Sequence, residues 1–292
     1  MVNLLLRIVF TVSFSHLLRL SQARTRKPIA AAAINYLVAA VACTLWACAL
    51  GRAWQGPTVL LGAAAGFTYV SSLVLILPCM RQSGVAVTSA VAQLSMMAPV
   101  VVATVRFGEY PNAWQTVGIV LTMVALPLLC VSTAAATQAP QRFSPLTLAM
   151  FCSTGLSQVL MKEFSATRPG ADLAVFSACL FLAATFFTWV WMVRTGDTGR
   201  AEEGTPGPEE GTLLPEWPLG LALGAVNVLQ LVCLLRALQE LSAIIVFPVS
   251  AALGITANVG VSRLLWGERP RPAGWLGIVL AVAAVVLLNL KP

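Results

Sequence analysis

Charged side chains are scarce in this chain. Of its 292 residues, 10% are charged and 58% are hydrophobic, whereas about 25% of the residues in a soluble domain are charged. So few charges could not cover the surface of a soluble protein of this length, and a disordered chain could not carry so much apolar sequence. The composition therefore predicts an integral membrane protein.

Residues that support metal or nucleophilic chemistry are also few. His16 is the single histidine, no aspartate lies near it, and no Asp or Glu falls in the middle of an apolar stretch. The seven cysteines have no CxxC spacing and lie in or beside apolar stretches, as small packing residues do. Zinc sites, paired carboxylates and Ser-His-Asp triads are therefore not predicted, and we expect neither an enzyme nor a bound cofactor.

The charges that are present are unevenly distributed. The net charge is +7, yet six of the 11 acidic residues fall within residues 194–217, a stretch rich in Gly and Pro. We expect this stretch to be a flexible acidic loop. The remaining basic excess suits anionic lipid head groups. No Lys/Arg stripe with interleaved aromatics occurs, so nucleic acid is not a predicted partner.

Long apolar stretches dominate the rest of the sequence. A membrane-spanning helix needs about 20 mostly apolar residues, and the stretches between short polar or Pro/Gly segments predict ten of them. They cover residues 3–22, 30–51, 57–79, 84–106, 113–133, 144–164, 172–193, 217–238, 242–265 and 273–290. The predicted fold class is an all-α membrane protein with ten transmembrane helices.

The chain also repeats itself. Residues 107–129 and 266–288 align without gaps at an offset of 159, and ten of the 23 pairs are identical. The third predicted helix aligns with the eighth at an offset of 158, which places Tyr69 on Asn227. A weaker match pairs the first helix with the sixth at an offset of 142, with His16 on Gln158.

These matches predict two halves of five helices each, residues 1–133 and 144–292, joined by a linker at 134–143. Because five is odd, the second half starts on the opposite side of the membrane, and the two repeats are inverted. Transporters use this arrangement to build a substrate site near the bilayer midplane.

Several motifs then resemble the drug/metabolite transporter superfamily, EamA type. They are Asn35-Tyr36, Gly84–Ser89, Phe107-Gly108-Glu109, Val246-Phe247-Pro248, Trp266-Gly267-Glu268-Arg269 and Trp275-Leu276-Gly277-Ile278. The resemblance extends over essentially the whole chain. It implies export or exchange of small metabolites through a cavity lined by helices 1–4 and 6–9, with helices 5 and 10 at the periphery.

Polar side chains inside the predicted helices are the candidates for contact with substrate. They are His16, Tyr69, Gln93, Gln158, Lys162, Asn227, Gln230 and Asn258. Each of them also has a structural interpretation, as a hydrogen bond between helices. Lys162 has a further one, as a cation extending to the head groups, and the same interpretation applies to Arg19 near the end of the first predicted helix. His16 is the one side chain within a span expected to titrate near neutral pH.

The two Gly-Glu pairs and two prolines have a predicted structural role. Gly108-Glu109 and Gly267-Glu268 are expected to end or reorient helices, with Arg106 and Arg263 as possible partners of the glutamates. Pro99 and Pro248 lie inside the fourth and ninth predicted helices, where each removes a backbone hydrogen bond and marks a candidate hinge.

The leading functional prediction is a secondary transporter of small polar metabolites, such as amino-acid-like compounds, that works by alternating access in a bacterial cytoplasmic membrane. The alternatives are an uptake permease or passive facilitator, and a non-transporting assembly or sensor component. A monomer suffices for this activity, although a homodimer is possible. The orientation of the chain in the membrane stays open. The number of Lys and Arg residues on each side, with Arg7 counted as a flanking charge, favours external termini. The resemblance favours internal termini.

Overall fold

The computed structural model of the protein describes residues 1–24, 28–133, 145–168, 173–195, 216–266 and 272–290. These residues are helical throughout, with short connections, and no strand occurs among them. The helices are α1 (Val2–Arg24), α2 (Pro28–Ala49), α3 (Gly56–Leu94), α4 (Met97–Phe107), α5 (Ala113–Thr133), α6 (Pro145–Thr167), α7 (Leu173–Thr195), α8 (Glu216–Glu240), α9 (Ala243–Trp266) and α10 (Pro272–Asn289).

Eight stretches of the described chain are long and apolar enough to cross a membrane, fewer than the ten predicted. α5 offers only a shorter apolar stretch, Ala113–Leu129. α6 is long enough but is not among the eight apolar stretches, because its sequence is interrupted by Ser, Thr, Gln, Lys and Glu. These polar residues are tolerated because one side of α6 packs inside the bundle and does not meet lipid, and Ser157 and Lys162 on that side are buried.

The region between the third and fourth predicted helices differs from the prediction. α3 runs through the expected break at 80–83 and ends at Leu94. It is not straight, because Ser72 contacts Ser153 of α6 while Ser95, just past its end, lies against Gly155. A straight helix would separate two residues 23 apart by about 35 Å. The chain therefore turns back between them, in the part of α3 that contains Pro78.

Pro99 was expected to lie in a helix interior, and this expectation is wrong. The helical run is broken at Ser95 and Met96, and Pro99 falls in the first turn of α4. A backbone N–H in the first turn has no intrahelical acceptor, so the absence of this N–H in proline costs no helical hydrogen bond. Pro248 does lie inside a helix, α9, as predicted.

Glycines bring particular pairs of helices close together. A Cβ on Gly62 would lie 2.8 Å from the Phe176 carbonyl oxygen of α7, and one on Gly220 would lie 3.1 Å from the Ala31 oxygen of α2. Gly118 and Gly277 do the same between α5 and α10. Such small residues permit close approach of the helix backbones.

One end of the bundle is held by polar contacts between helix ends. The Asn3 amide at the start of α1 donates to Glu240 at the end of α8. Arg106 at the end of α4 pairs with Glu163 near the end of α6, at 2.8 Å. The Asn112 amide, just before α5, donates to the Leu290 carbonyl beyond α10. We call this the paired end; it places the starts of α1 and α5 beside the ends of α8 and α10.

Candidate functional site

A cavity of about 290 Å³ lies between the helices. Its walls come from α1, α2, α3, α6, α7 and α8, and no described residue of α4, α5, α9 or α10 lines it. The ninth helix was expected to contribute to the lining, and no described residue of it does. The lining is largely apolar, with aromatic side chains such as Phe14, Tyr36 and Phe181, and carries a limited set of polar groups. This combination is typical of a site for a small molecule.

An amide network forms one wall of the cavity. The Asn227 carbonyl oxygen accepts hydrogen bonds from Gln230 Nε2 at 2.8 Å and from the Tyr69 hydroxyl at 3.3 Å. Asn227 Nδ2 in turn donates to Asn35 Oδ1 at 3.1 Å. Tyr36 packs edge-on against Tyr69, with ring centroids 5.9 Å apart. The network therefore joins α2, α3 and α8.

Arg7 is the cation of the cavity. Its side chain lines the wall, only 8% of the residue is exposed, and it interacts electrostatically with Tyr69. Nη1 of Arg7 has no hydrogen-bond partner among the described residues, and neither has Oε1 of Gln158, which also lines the cavity. The cavity thus contains buried polar atoms that have no hydrogen-bond partner among the described residues.

Residues that line the cavity recur at constant spacings between α1 and α6 and between α3 and α8. Arg7, Thr11, Phe14 and Leu18 on α1 each lie 143 residues before a lining residue on α6, namely Met150, Thr154, Ser157 and Met161. This spacing differs by one residue from the offset of 142 in the sequence alignment of the first and sixth helices, since apolar helices align almost equally well in neighbouring registers. On α3 and α8 the predicted offset of 158 holds for every corresponding lining pair, including Tyr69 with Asn227.

Four of the predicted site residues line the cavity: Tyr69, Gln158, Asn227 and Gln230. Four others are absent from its lining: His16, Gln93, Lys162 and Asn258. Sequence reasoning missed Arg7, Asn35 and Tyr36. Arg7 is near the start of α1 and was counted as a flanking charge. A usable signal was the spacing of Arg7, Thr11, Phe14 and Leu18 along one face of a helix.

Lys162 was predicted as a cation facing the cavity, but it pairs with Glu109 at the paired end. The other Glu109 oxygen accepts hydrogen bonds from Ser242 Oγ at 2.6 Å and from the Ala243 N–H at 2.9 Å, at the start of α9. Burial alone would raise the pKa of the Glu109 carboxyl, but the hydrogen bonds from Lys162, Ser242 and Ala243 and the Lys162 charge together lower it below its ordinary value. The arrangement joins α4, α6 and α9.

The Gly-Glu motif ends a helix, as predicted for the first repeat. Gly108 has a positive φ of 67°, which glycine adopts without strain, and it terminates α4. The expected pairing of Arg106 with Glu109 is wrong, because the turn directs Glu109 toward Lys162 while Arg106 extends to Glu163. Gly267 and Glu268 lie outside the described residues, as do most of the acidic loop 194–217 and the linker at 134–143.

Comparisons with known proteins give partial relatives. The pseudopaline exporter CntI of Pseudomonas aeruginosa strain UCBPP-PA14 is 42% identical over 76 residues. The protein of the same name from strain PAO1 matches equally well. Each match covers 26% of this chain and 26% of the relative, so about a quarter of each relative's length is matched. No family model matches the chain.

A solved crystal structure shares the fold. It superposes with a TM-score of 0.71 over 99% of this chain and 95% of its own length, at 13% sequence identity. With the apolar helices and the partial match to an exporter, these findings describe an integral, multi-pass, all-helical membrane protein. They are consistent with a transporter.

Proposed function

We propose that the protein is a secondary transporter that exports small polar metabolites, such as amino-acid-like compounds, by alternating access. The observation that carries the proposal is the cavity between the helices, with the polar groups of Arg7, Tyr69, Asn227 and Gln230 in a largely apolar wall. Neither an enzymatic activity nor a cofactor is part of the proposal. Its partners are the transported molecule and the lipids of a bacterial cytoplasmic membrane, and a monomer is sufficient.

An inverted five-plus-five repeat is supported by helix directions and by reciprocal packing. α4 ends where α9 begins, and α5 begins where α10 ends. A Cβ on Gly118 would meet Leu288, and one on Gly277 would meet Leu129; both glycines and both leucines are 159 residues apart. A two-fold relation between inverted halves produces this reciprocity. It also supports the proposed kinship with EamA-type drug/metabolite transporters.

Alternating access also requires a gate, and the contacts of the paired end are the proposed closed gate. Glu109 and Arg106 from the first half contact Lys162 and Glu163 from the second. Asn3 and Glu240 add another contact across the halves. Opening this end would break these contacts. In the open state, hydrogen bonds from these side chains to water would replace them.

The activity is tested by comparing metabolites in the medium of cells that overexpress the wild-type protein, Asn227→Leu or Asn258→Leu. We expect one or a few small polar compounds to accumulate with the wild type. Asn227→Leu should lose this accumulation because it removes the centre of the amide network. Asn258→Leu is the matched control, since Asn258 lies on α9 and does not line the cavity. Equal loss in both variants, or accumulation in neither the wild type nor the control, contradicts the proposal.

Alternating access is tested by crosslinking the paired end. Cysteines at Asn3 and Glu240, in a background without the native cysteines, are joined by a short bismaleimide. We expect transport to stop after crosslinking and to be unaffected by the same reagent in either single-cysteine protein. Continued transport in the crosslinked protein would refute a gate at this end. Dissipation of the proton gradient separates driven export, which it should abolish, from passive facilitation, which it leaves intact.

A further inference from the structure

The cavity contains a cation without a counter-charge. Arg7 is 8% exposed, and no Asp or Glu occurs among the described residues that line the cavity. Its Nη1 has no hydrogen-bond partner among the described residues. A guanidinium remains charged at neutral pH. Burying such a charge without a partner costs several kcal/mol, and within a membrane span it marks a functional group.

Packing does not require an arginine at this position. The corresponding lining residue of the other half is Met150, an apolar side chain that is 1% exposed. At these corresponding positions of the cavity wall, the first half therefore has a cationic side chain and the second half has an apolar thioether. The asymmetry gives the cavity one cationic group, Arg7, in a largely apolar wall.

We propose that the transported molecule is a small organic anion with a single carboxylate, and that this carboxylate binds Arg7. The inference rests on the function proposed above and names its substrate class. Arg7 would neutralise the carboxylate through paired N–H···O bonds, while Asn227 and Gln230 bind neighbouring polar groups.

The number of charges favours a carboxylate over a phosphate ester. A phosphate monoester carries about −1.5 to −2 charges at neutral pH, and one guanidinium would leave it under-compensated in a cavity of this polarity. A carboxylate carries one charge and matches the planar guanidinium with two hydrogen bonds. The apolar lining, including Phe14, Leu73 and Phe181, suits an apolar body attached to the carboxylate.

Binding is tested on the purified full-length protein in detergent, with small-molecule extract of the host cell separated by charge as the probe. The anionic and the non-anionic fractions are each added to the wild type, Arg7→Met, Arg7→Lys and Asn258→Leu. A bound ligand raises the thermal midpoint by mass action. We expect the anionic fraction to raise it for the wild type and Asn258→Leu, weakly for Arg7→Lys and not for Arg7→Met. Stabilisation by the non-anionic fraction alone, by neither fraction, or equally in Arg7→Met overturns the inference.

A second readout separates a binding role of Arg7 from a merely structural one. Without ligand, Arg7→Met should melt at or above the wild-type midpoint, because an uncompensated buried charge is removed. An arginine that holds the fold through its own contacts would lower the midpoint when lost. A clear drop in the unliganded midpoint therefore contradicts the proposal.

Excretion by cells distinguishes failure of this inference from failure of transport. Compounds exported by the wild type should be anions, and Arg7→Met should export them about ten-fold less or worse, as expected when one partner of a buried charged hydrogen bond is lost. If exported compounds are neutral or cationic and Arg7→Met exports them normally, transport stands and the anion site is refuted. If the wild type exports nothing while the anionic fraction still stabilises it through Arg7, the transport function fails and the anion site stands.

Discussion

Two buried cations in this bundle have opposite surroundings. Lys162 is 3% exposed and Arg7 is 8% exposed, so both are withdrawn from water to a similar degree. Lys162 lies against the Glu109 carboxylate, which Ser242 and Ala243 also contact. Arg7 lies in a cavity whose described lining contains no acid. The presence of a counter-ion, and not the degree of burial, distinguishes Lys162, which joins helices, from Arg7, which we propose to bind the substrate.

The largest effect is expected from Lys162→Met. This change leaves the Glu109 carboxylate half-buried without its cation and should lower the free energy of unfolding by about 3 kcal/mol. Thermal melting in detergent measures it, with Arg7→Met as the matched variant that should not lose stability. The double variant Lys162→Met/Glu109→Gln should regain part of the loss. A similar drop in both single variants would remove the distinction between the two cations.

A smaller effect is expected from Asn227→Leu in the cavity wall. It leaves Asn35 Oδ1 and Gln230 Nε2 without the partners shown in the network, which should cost about 1–3 kcal/mol. The thermal midpoint again reports the change, and Asn258→Leu serves as the control outside the lining. No difference between the two variants would mean that the amide network does not support the fold.

Lowering the pH should destabilise the contacts of Glu109 at the paired end. Because the pKa of Glu109 is lower in the folded protein than its ordinary value, the stability that it contributes is fully present above that ordinary value, about 4.3. The contribution is lost as the pH falls through the folded-state pKa. The wild-type midpoint should therefore fall more steeply than that of Glu109→Gln as the pH is taken from 5 to 3. Parallel curves would contradict an ionised, stabilising Glu109.

The smallest effect belongs to the exposed pair of the same end. The Arg106 side chain is 64% exposed, and its partner Glu163 is 19% exposed. Surface pairs contribute at most about 1 kcal/mol, so Arg106→Gln should shift the midpoint little, and added salt should mask the shift. A loss as large as that of Lys162→Met would show that exposure does not weaken the pairs at this end.

The helices were largely predictable because apolar length is a local property of the sequence. The bounds of α7 (Leu173–Thr195) and α9 (Ala243–Trp266) lie within two residues of those predicted. The continuation of α3 through the expected break at 80–83 was not predicted, since Arg81-Gln82-Ser83 is polar but compatible with a helix. Contacts of Ser72 and Ser95 with α6, and not local propensity, reveal where the chain turns back.

The site was predictable only where the repeat gave a second copy to compare. Tyr69 and Asn227 were paired by the repeat and lie 3.3 Å apart across the cavity wall. Lys162 was misassigned because its partner, Glu109, is 53 residues away in the chain. Arg7 was overlooked because closeness to a helix start suggests a head-group contact.

Composition and periodicity thus determined the membrane environment, most helix bounds and the pairing of corresponding positions, since these follow from side-chain polarity along the chain. Tertiary structure alone decided which buried charge has a counter-ion. That choice depends on distances of a few ångströms between residues far apart in sequence, because in a low-dielectric interior only a contacting partner offsets the loss of hydration.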